Sequence, residues 1–236
     1  RLAAAFSAGV GRRWSDAEFD GWAMEVFRRQ FEQNAVYRRF CEARGRGPED
    51  VGGWADIPAV PTSAFKHLEL SPGPHEAVFE TSGTTRGRER RGRHGVPSLS
   101  LYRAASLPGL KSQMALPDEG MRILSLIPSV REAPRSSLST MMDFAMTAYG
   151  ADGSGTFAVP ERGVDVGGFA AALDRSVNDD EPVWVAGTAF AFVHWIDAVA
   201  AGRATAVRLP EGSRIMDTGG FKGRSREVSR GELYAD

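Results

Sequence analysis

One cysteine, four histidines and no long apolar run are what this 236-residue chain is short of, and each shortage removes a class of function. With Cys41 alone, an intrachain disulfide and a multi-cysteine zinc site are both excluded. A reducing, cytoplasmic setting is the matching expectation. No stretch approaches the roughly 20 apolar residues that cross a bilayer, and none reads as a signal peptide. An excess of one charge is missing too. Lys and Arg number 29 against 30 Asp and Glu, a formal net charge of −1, so nothing global calls for nucleic acid or an anionic membrane as partner. The remaining composition, 42% hydrophobic and 25% charged, is that of a globular protein able to bury a substantial core in one large domain or two small ones. The first residue is Arg1 and the last segment stops in mid-pattern, so a fragment is expected.

Ser15 and Glu18 have the spacing of a capping box, in which the hydroxyl takes an orphan N–H and the carboxylate reaches back. Phe19, Trp22, Ala23, Val26 and Phe27 then recur at intervals of three and four, the apolar face of an amphipathic helix. Gly45 beside Arg44 is a plausible stop, and Gly, Pro and Asp from Gly45 to Pro61 mark a loop. Residues 1–76 therefore read as a mostly helical N-terminal region. From about Val78 the period changes, and 77–236 read as an α/β region, incomplete at its end. Val78-Phe79 ends a short strand. Arg122–Ile127, Gly155–Val159, Pro182–Ala186, Ala204–Leu209 and Arg214–Asp217 read as further strands. Ser136–Tyr149, Val164–Val177 and the almost wholly apolar Thr188–Ala201 read as helices between them. Such alternation predicts parallel β-α-β units with right-handed crossovers.

Two motifs carry chemistry. Phe79-Glu80-Thr81-Ser82-Gly83-Thr84-Thr85 follows a strand. Its small residues let backbone N–H groups converge on an anion, its hydroxyls add donors, and Gly83 permits a backbone turn that a side chain would block. The Gly-Lys-Ser/Thr ending of a Walker loop is absent, and an ordinary Ser/Thr turn would read the same. Arg86, Arg88, Arg90, Arg91 and Arg93 come next, ending at His94. One or two of them, Arg88 foremost, can clamp phosphate oxygens through the guanidinium fork. A solvated loop accounts for most of the cluster. The second motif, Met216-Asp217-Thr218-Gly219-Gly220-Phe221-Lys222-Gly223-Arg224, sits at the end of a strand. Ligands of open α/β sheets bind at such carboxyl ends. The glycine pair lets a flat base lie against backbone, Phe221 can stack on it, and Lys222 can reach an anion.

In this order and spacing the two motifs resemble the adenylate-forming superfamily, and in detail the acyl-protein synthetases of the LuxE type, the long-chain fatty acid ligases of bioluminescence operons. Thr81–Thr85 is similar to the superfamily's phosphate signature. Ile57–Lys66, the Ser125–Met142 block and the stretch from Gly219 to Glu227 resemble that branch. The similarity covers about Asp56 to Tyr234, the last stretch being the most specific. It implies an α/β ligase N-terminal domain, here truncated, with the nucleotide- and acyl-binding region in 77–236. It further implies ATP and Mg²⁺ as cofactors, a fatty or other hydrophobic carboxylic acid as substrate, and an acyl-acceptor protein such as a reductase as partner. The acid attacks the α-phosphate of ATP to give an acyl-adenylate and pyrophosphate, and a protein thiol then takes the acyl group. Thr81, Ser82, Gly83, Thr84, Thr85 and Arg88 would hold the phosphates. Gly219, Gly220, Phe221, Lys222 and Gly223 would seat the adenosine.

An acyl pocket is expected along Gly187, Thr188 and Phe190, with Phe192 and Trp195 behind, although core packing explains those residues equally well. His194 is read as a satisfied core histidine. The chain departs from the superfamily where Arg86 precedes Gly87 and arginines replace the usual lysine. The acid that helps hold Mg²⁺, the ribose-binding acid and the catalytic lysine would lie beyond Asp236, as would the acyl-carrying cysteine, since Cys41 is at the wrong end. A coenzyme A ligase on the same scaffold and a non-catalytic nucleotide-binding module stand as alternatives.

Overall fold

The structure, a computed structural model, describes residues 1–8, 10–81, 91–159, 162–219 and 230–233. These form two compact units, one of the described residues up to Gly109 and the other of those from Leu110.

The first unit opens with helices α1 (Leu2–Ser7), α2 (Asp16–Gln33) and α3 (Ala35–Glu42). The capping box at the head of α2 is formed. Ser15 Oγ accepts the Glu18 N–H at 3.2 Å, and Glu18 Oε2 accepts the Ser15 N–H at 3.0 Å. The helical run does not continue to Gly45, as the apolar spacing suggested. It breaks at Asn34, whose backbone is extended and whose Oδ1 accepts the Tyr37 N–H at 3.1 Å. An Asn side chain offering the backbone this alternative is what restarts the helix. Met24, Phe27, Cys41 and Val51 form the core here, and burial pushes the Cys41 thiol up from its ordinary pKa, so it behaves as a small hydrophobe. Among the described residues, nothing fully covers the face that carries Phe19 and Val26. These two are 45% and 39% exposed and join Phe6, Trp14 and Trp22 along an open apolar groove of about 620 Å³.

After 3₁₀ turns at Trp54–Asp56 and Thr62–Lys66, strands β1 (Ala77–Glu80) and β2 (Arg93–Val96) pair antiparallel, and helix α4 (Leu99–Gln113) follows. Arg93 and His94, which the sequence groups with a solvated arginine loop, are strand residues opposite Glu80 and Phe79. The reason is aromatic packing on the hairpin: His94 stacks on Phe65 of the 3₁₀ turn at 4.0 Å between ring centres, and Phe79 meets Tyr102 of α4 at 5.3 Å. Helix α4 itself has no clear sequence signal because Pro108 lies within it.

The second unit runs β3 (Arg122–Ser125), α5 (Ser137–Tyr149), β4 (Gly155–Thr156), β5 (Ala158–Val159), β6 (Gly163–Val164), α6 (Val166–Asp179), β7 (Val183–Gly187), α7 (Ala189–Ala200), β8 (Arg214–Asp217) and α8 (Arg230–Leu233). Four of the strands make a parallel sheet in the order β4-β3-β7-β8, with Leu124 opposite Gly155 and Val185, and Val185 opposite Ile215. All five residues of β7 are buried, as a strand covered on both faces requires. Leu124, Leu126, Val183 and Val185 pack with Phe169, Ala172 and Leu173 of α6 and Ala191 of α7. Those two helices therefore share one face, and the right-handed crossover rule sends α5 to the other. The mixed α/β architecture with parallel β-α-β units matches the sequence expectation.

Two expected strands differ. Gly155–Val159 is interrupted at Phe157, whose N–H bonds to Ser125 O at 2.7 Å and whose ring packs on Phe169 at 5.6 Å. The chain then leaves the sheet for the β5–β6 hairpin. Ala204–Leu209 forms no strand: Val207 and Leu209 press on the core from a segment without ladder partners. Its alternating apolar residues are satisfied by packing alone.

Candidate active site

Sheet order places the candidate site of the second unit. The chain goes from β3 outward to β4 on one side, then returns to β7 on the other side of β3. The connections therefore diverge between β3 and β7. Such a reversal leaves a crevice beyond the carboxyl ends of the two strands, where ligands of open parallel sheets bind.

Small residues and backbone hydrogen bonds make up this edge. Leu126 N–H bonds to Ala186 O at 2.7 Å, extending the β3–β7 ladder by a step. Gly187 O accepts the Thr218 N–H at 3.1 Å, and Thr218 Oγ1 lies 3.3 Å from the same oxygen. Gly187 is buried, and a Cβ there would stand 2.9 Å from the Phe192 ring and 3.4 Å from Leu126 Cβ. A side chain there would require the Phe192 ring on the first turn of α7 to shift. Thr188 is the N-cap of α7, its Oγ1 accepting the Ala191 N–H at 3.3 Å. At the end of β8, Asp217 Oδ1 accepts the Gly219 N–H at 2.7 Å, a carboxylate-stabilised turn. Gly219 has φ +70°, and no described atom lies within 4 Å of where its Cβ would be. Of the residues expected to seat an adenosine, Gly219 alone is described, and among the described residues nothing blocks a flat ring at its backbone.

The expected acyl-pocket residues divide. Gly187 and Thr188 belong to the carboxyl edge, and Phe190 is half-buried on the first turn of α7. Phe192 and Trp195 instead pack against the core, Trp195 edge-on to Phe169 at 4.8 Å. His194 Nδ1 accepts the Val164 N–H at 3.2 Å, a structural bond of the kind expected. Asp217, which sets the turn at Gly219, was not singled out by the sequence reading as a site residue, although an Asp two residues before a glycine is a turn signal.

In the first unit Thr81 follows β1. Its N–H bonds to Gly92 O at 2.9 Å and its Oγ1 accepts the Gly92 N–H at 2.9 Å. The pair of bonds extends the β1–β2 pairing by one residue on each strand. Ser82, Gly83, Thr84, Thr85 and Arg88 lie outside the described residues, as do Gly220, Phe221, Lys222 and Gly223. Among the described residues, no group of three or more His, Cys, Asp or Glu is placed to hold a metal, and no helix is long and apolar enough to cross a membrane.

Compared with known proteins, the chain matches no protein-family model, no curated protein and no solved structure.

Proposed function

We propose that the chain is part of an ATP-dependent ligase that activates a fatty or other hydrophobic carboxylic acid to an acyl-adenylate and passes the acyl group to a protein thiol. One observation carries the reading. The parallel sheet reverses its connections between β3 and β7, and its carboxyl edge joins Gly187-Thr188 to Thr218-Gly219. Gly219 is the position that the resemblance gives to the adenosine, and it lies at the edge where open α/β sheets take nucleotides. Thr81 offers related support, since a loop rich in hydroxyls, pinned at its base, suits a run of phosphate oxygens.

The reaction requires a carboxylate to approach a polyphosphate, so donors and Mg²⁺ must offset the repulsion between two anions. Backbone N–H groups and hydroxyls of the Thr81–Thr85 loop supply donors in this reading. The glycines after β8 hold the base flat. The acid's apolar tail is assigned to the Gly187–Phe190 segment.

The test is acid-dependent exchange of pyrophosphate into ATP by the full-length gene product, with a panel of fatty and aromatic acids. Exchange with one class of acid, abolished by Gly219→Trp and by Thr84→Ala, is the expected result. Folded wild-type protein that binds ATP yet exchanges with none of the acids would overturn the ligase reading and leave a nucleotide-binding module.

A further inference from the structure

The apolar groove beside α2 has the make-up of a small-molecule site. Its volume of about 620 Å³ lies inside the roughly 300–1,000 Å³ of ligand pockets, which combine an apolar lining with a few placed polar groups. Helix α2 supplies one wall, because Trp22, Val26 and Gln30 stand one turn apart and share a face. Phe6 and Trp14 come from the segment before it, and Ile57 and Val60 from the loop after α3. The rings meet in series: Phe6 lies parallel to Trp14 at 6.4 Å, and Trp14 reaches Trp22 at 6.3 Å. A row of separate rings gives a flexible aliphatic chain an apolar surface to follow.

One polar side chain in this lining is out of keeping with the rest. Asn34 is 4% exposed and borders the groove. Its Oδ1 is occupied by the Tyr37 N–H, while its Nδ2 donates to nothing among the described residues. Buried amides nearly always find an acceptor, and with the residue otherwise enclosed, the groove is the side from which one can come. Gln30, one turn earlier on α2, adds a second carboxamide to the lining, and its side chain has no hydrogen bond among the described residues. The Tyr37 hydroxyl is not free, since it donates to Pro58 O at 2.9 Å. Among the described residues, no charged side chain lines the groove.

We propose that the groove binds an uncharged fatty ester or amide, whose carbonyl oxygen accepts from Asn34 Nδ2 and whose chain lies along Phe6, Trp14 and Trp22. A plain hydrocarbon would leave the Asn34 donor unpaired. A carboxylate would accept from it but bring a charge into a lining with no cation to meet it. A neutral carbonyl satisfies both conditions. The assignment does not depend on the ligase reading, because it concerns an uncharged compound in the first unit and is measured without ATP or turnover.

Titration of the full chain with methyl decanoate, followed by tryptophan fluorescence, tests it, since Trp14 and Trp22 line the groove. The ester should give a saturable change. Decanoate, with its carboxylate ionised, should bind about tenfold more weakly or worse. Asn34→Asp keeps an oxygen to cap α3 but removes the N–H donor, and should weaken ester binding roughly tenfold. Asn34→Ser, which also keeps a capping oxygen, should act in the same direction. Val177→Ser, at an exposed apolar position in the other unit, should leave affinity unchanged. Absence of a saturable change, decanoate binding as tightly as the ester, wild-type affinity in folded Asn34→Asp and Asn34→Ser proteins, or equal weakening by Val177→Ser would each overturn the assignment. So would a ligand-free dimer that Trp14→Ser dissociates in sedimentation, because a second copy would then fill the groove.

Discussion

At the amino edge of the parallel sheet one long charged side chain ties four segments together, whereas at the carboxyl edge glycines and threonines are joined through their backbones. Arg122, at the start of β3, donates to Asp152 O at 3.2 Å, to Ser176 Oγ at 3.2 Å and to Glu181 at 2.5 Å, and lies 3.6 Å from Asp179. Its side chain is only 14% exposed. At the opposite ends of these strands, Gly187, Thr188, Thr218 and Gly219 are small residues, with Gly187 buried and bonded through its carbonyl to Thr218. A parallel sheet needs its strand ends fixed somewhere, and fixing them at one edge with charged hydrogen bonds leaves the other free for small residues. In the proposed reading, stability and ligand contact fall to different ends of the same strands.

If that division holds, substitutions at the two edges should separate in what they damage. Arg122→Ala should have the largest effect on stability, a loss of about 2–3 kcal/mol in urea unfolding, because a mostly buried guanidinium and its charged hydrogen bonds disappear together. Exchange activity per folded molecule should be unaffected. Wild-type stability in this variant would show that the amino edge is held by something else. Gly187→Ala should come next, at about 1–2 kcal/mol, since the added methyl must displace the Phe192 ring. It should also lower exchange, because it sits at the carboxyl edge. Gly219→Ala should cost only about 1 kcal/mol, the strain of a positive φ in open space, yet reduce exchange far more than Arg122→Ala does. Equal activity in the Gly219 and Arg122 variants would erase the distinction. Glu181→Gln should be the mildest, within about 1 kcal/mol because the carboxylate is 58% exposed, and its effect should shrink further in high salt.

The sequence made the β-α-β alternation readable because local signals agree with the final packing. The capping hydroxyls of Ser15 and Ser136, the buried run through β7 and the apolar α7 all state their structure within a dozen residues. Strand order was not readable. Nothing local in Arg122–Ser125 says that β7 rather than β4 lies on a given side, since the partner is chosen by packing across the sheet. The misread strand at Ala204–Leu209 has the same origin, because Val207 and Leu209 find their apolar surroundings without a ladder. Of the candidate site, Gly219 was legible as a place where backbone lies open, whereas Gly187 was read only as part of an acyl-pocket wall. The role of Asp217 was not legible, because it acts through a turn rather than by touching a ligand.

The central position of β3 also bears on how the chain is made. β3 is the first strand of its sheet to leave the ribosome, yet it ends in the middle. One edge can be covered after about 30 further residues, when β4 arrives. The other waits for β7, whose Val183 pairs with Arg122 about 60 residues upstream. At synthesis rates of roughly 5–20 residues per second, an apolar strand edge stays open for several seconds. During that interval the nascent chain presents Ile123, Leu124, Leu126 and Ile127, all fully or nearly fully buried once folded, to whatever chaperone attends the tunnel exit.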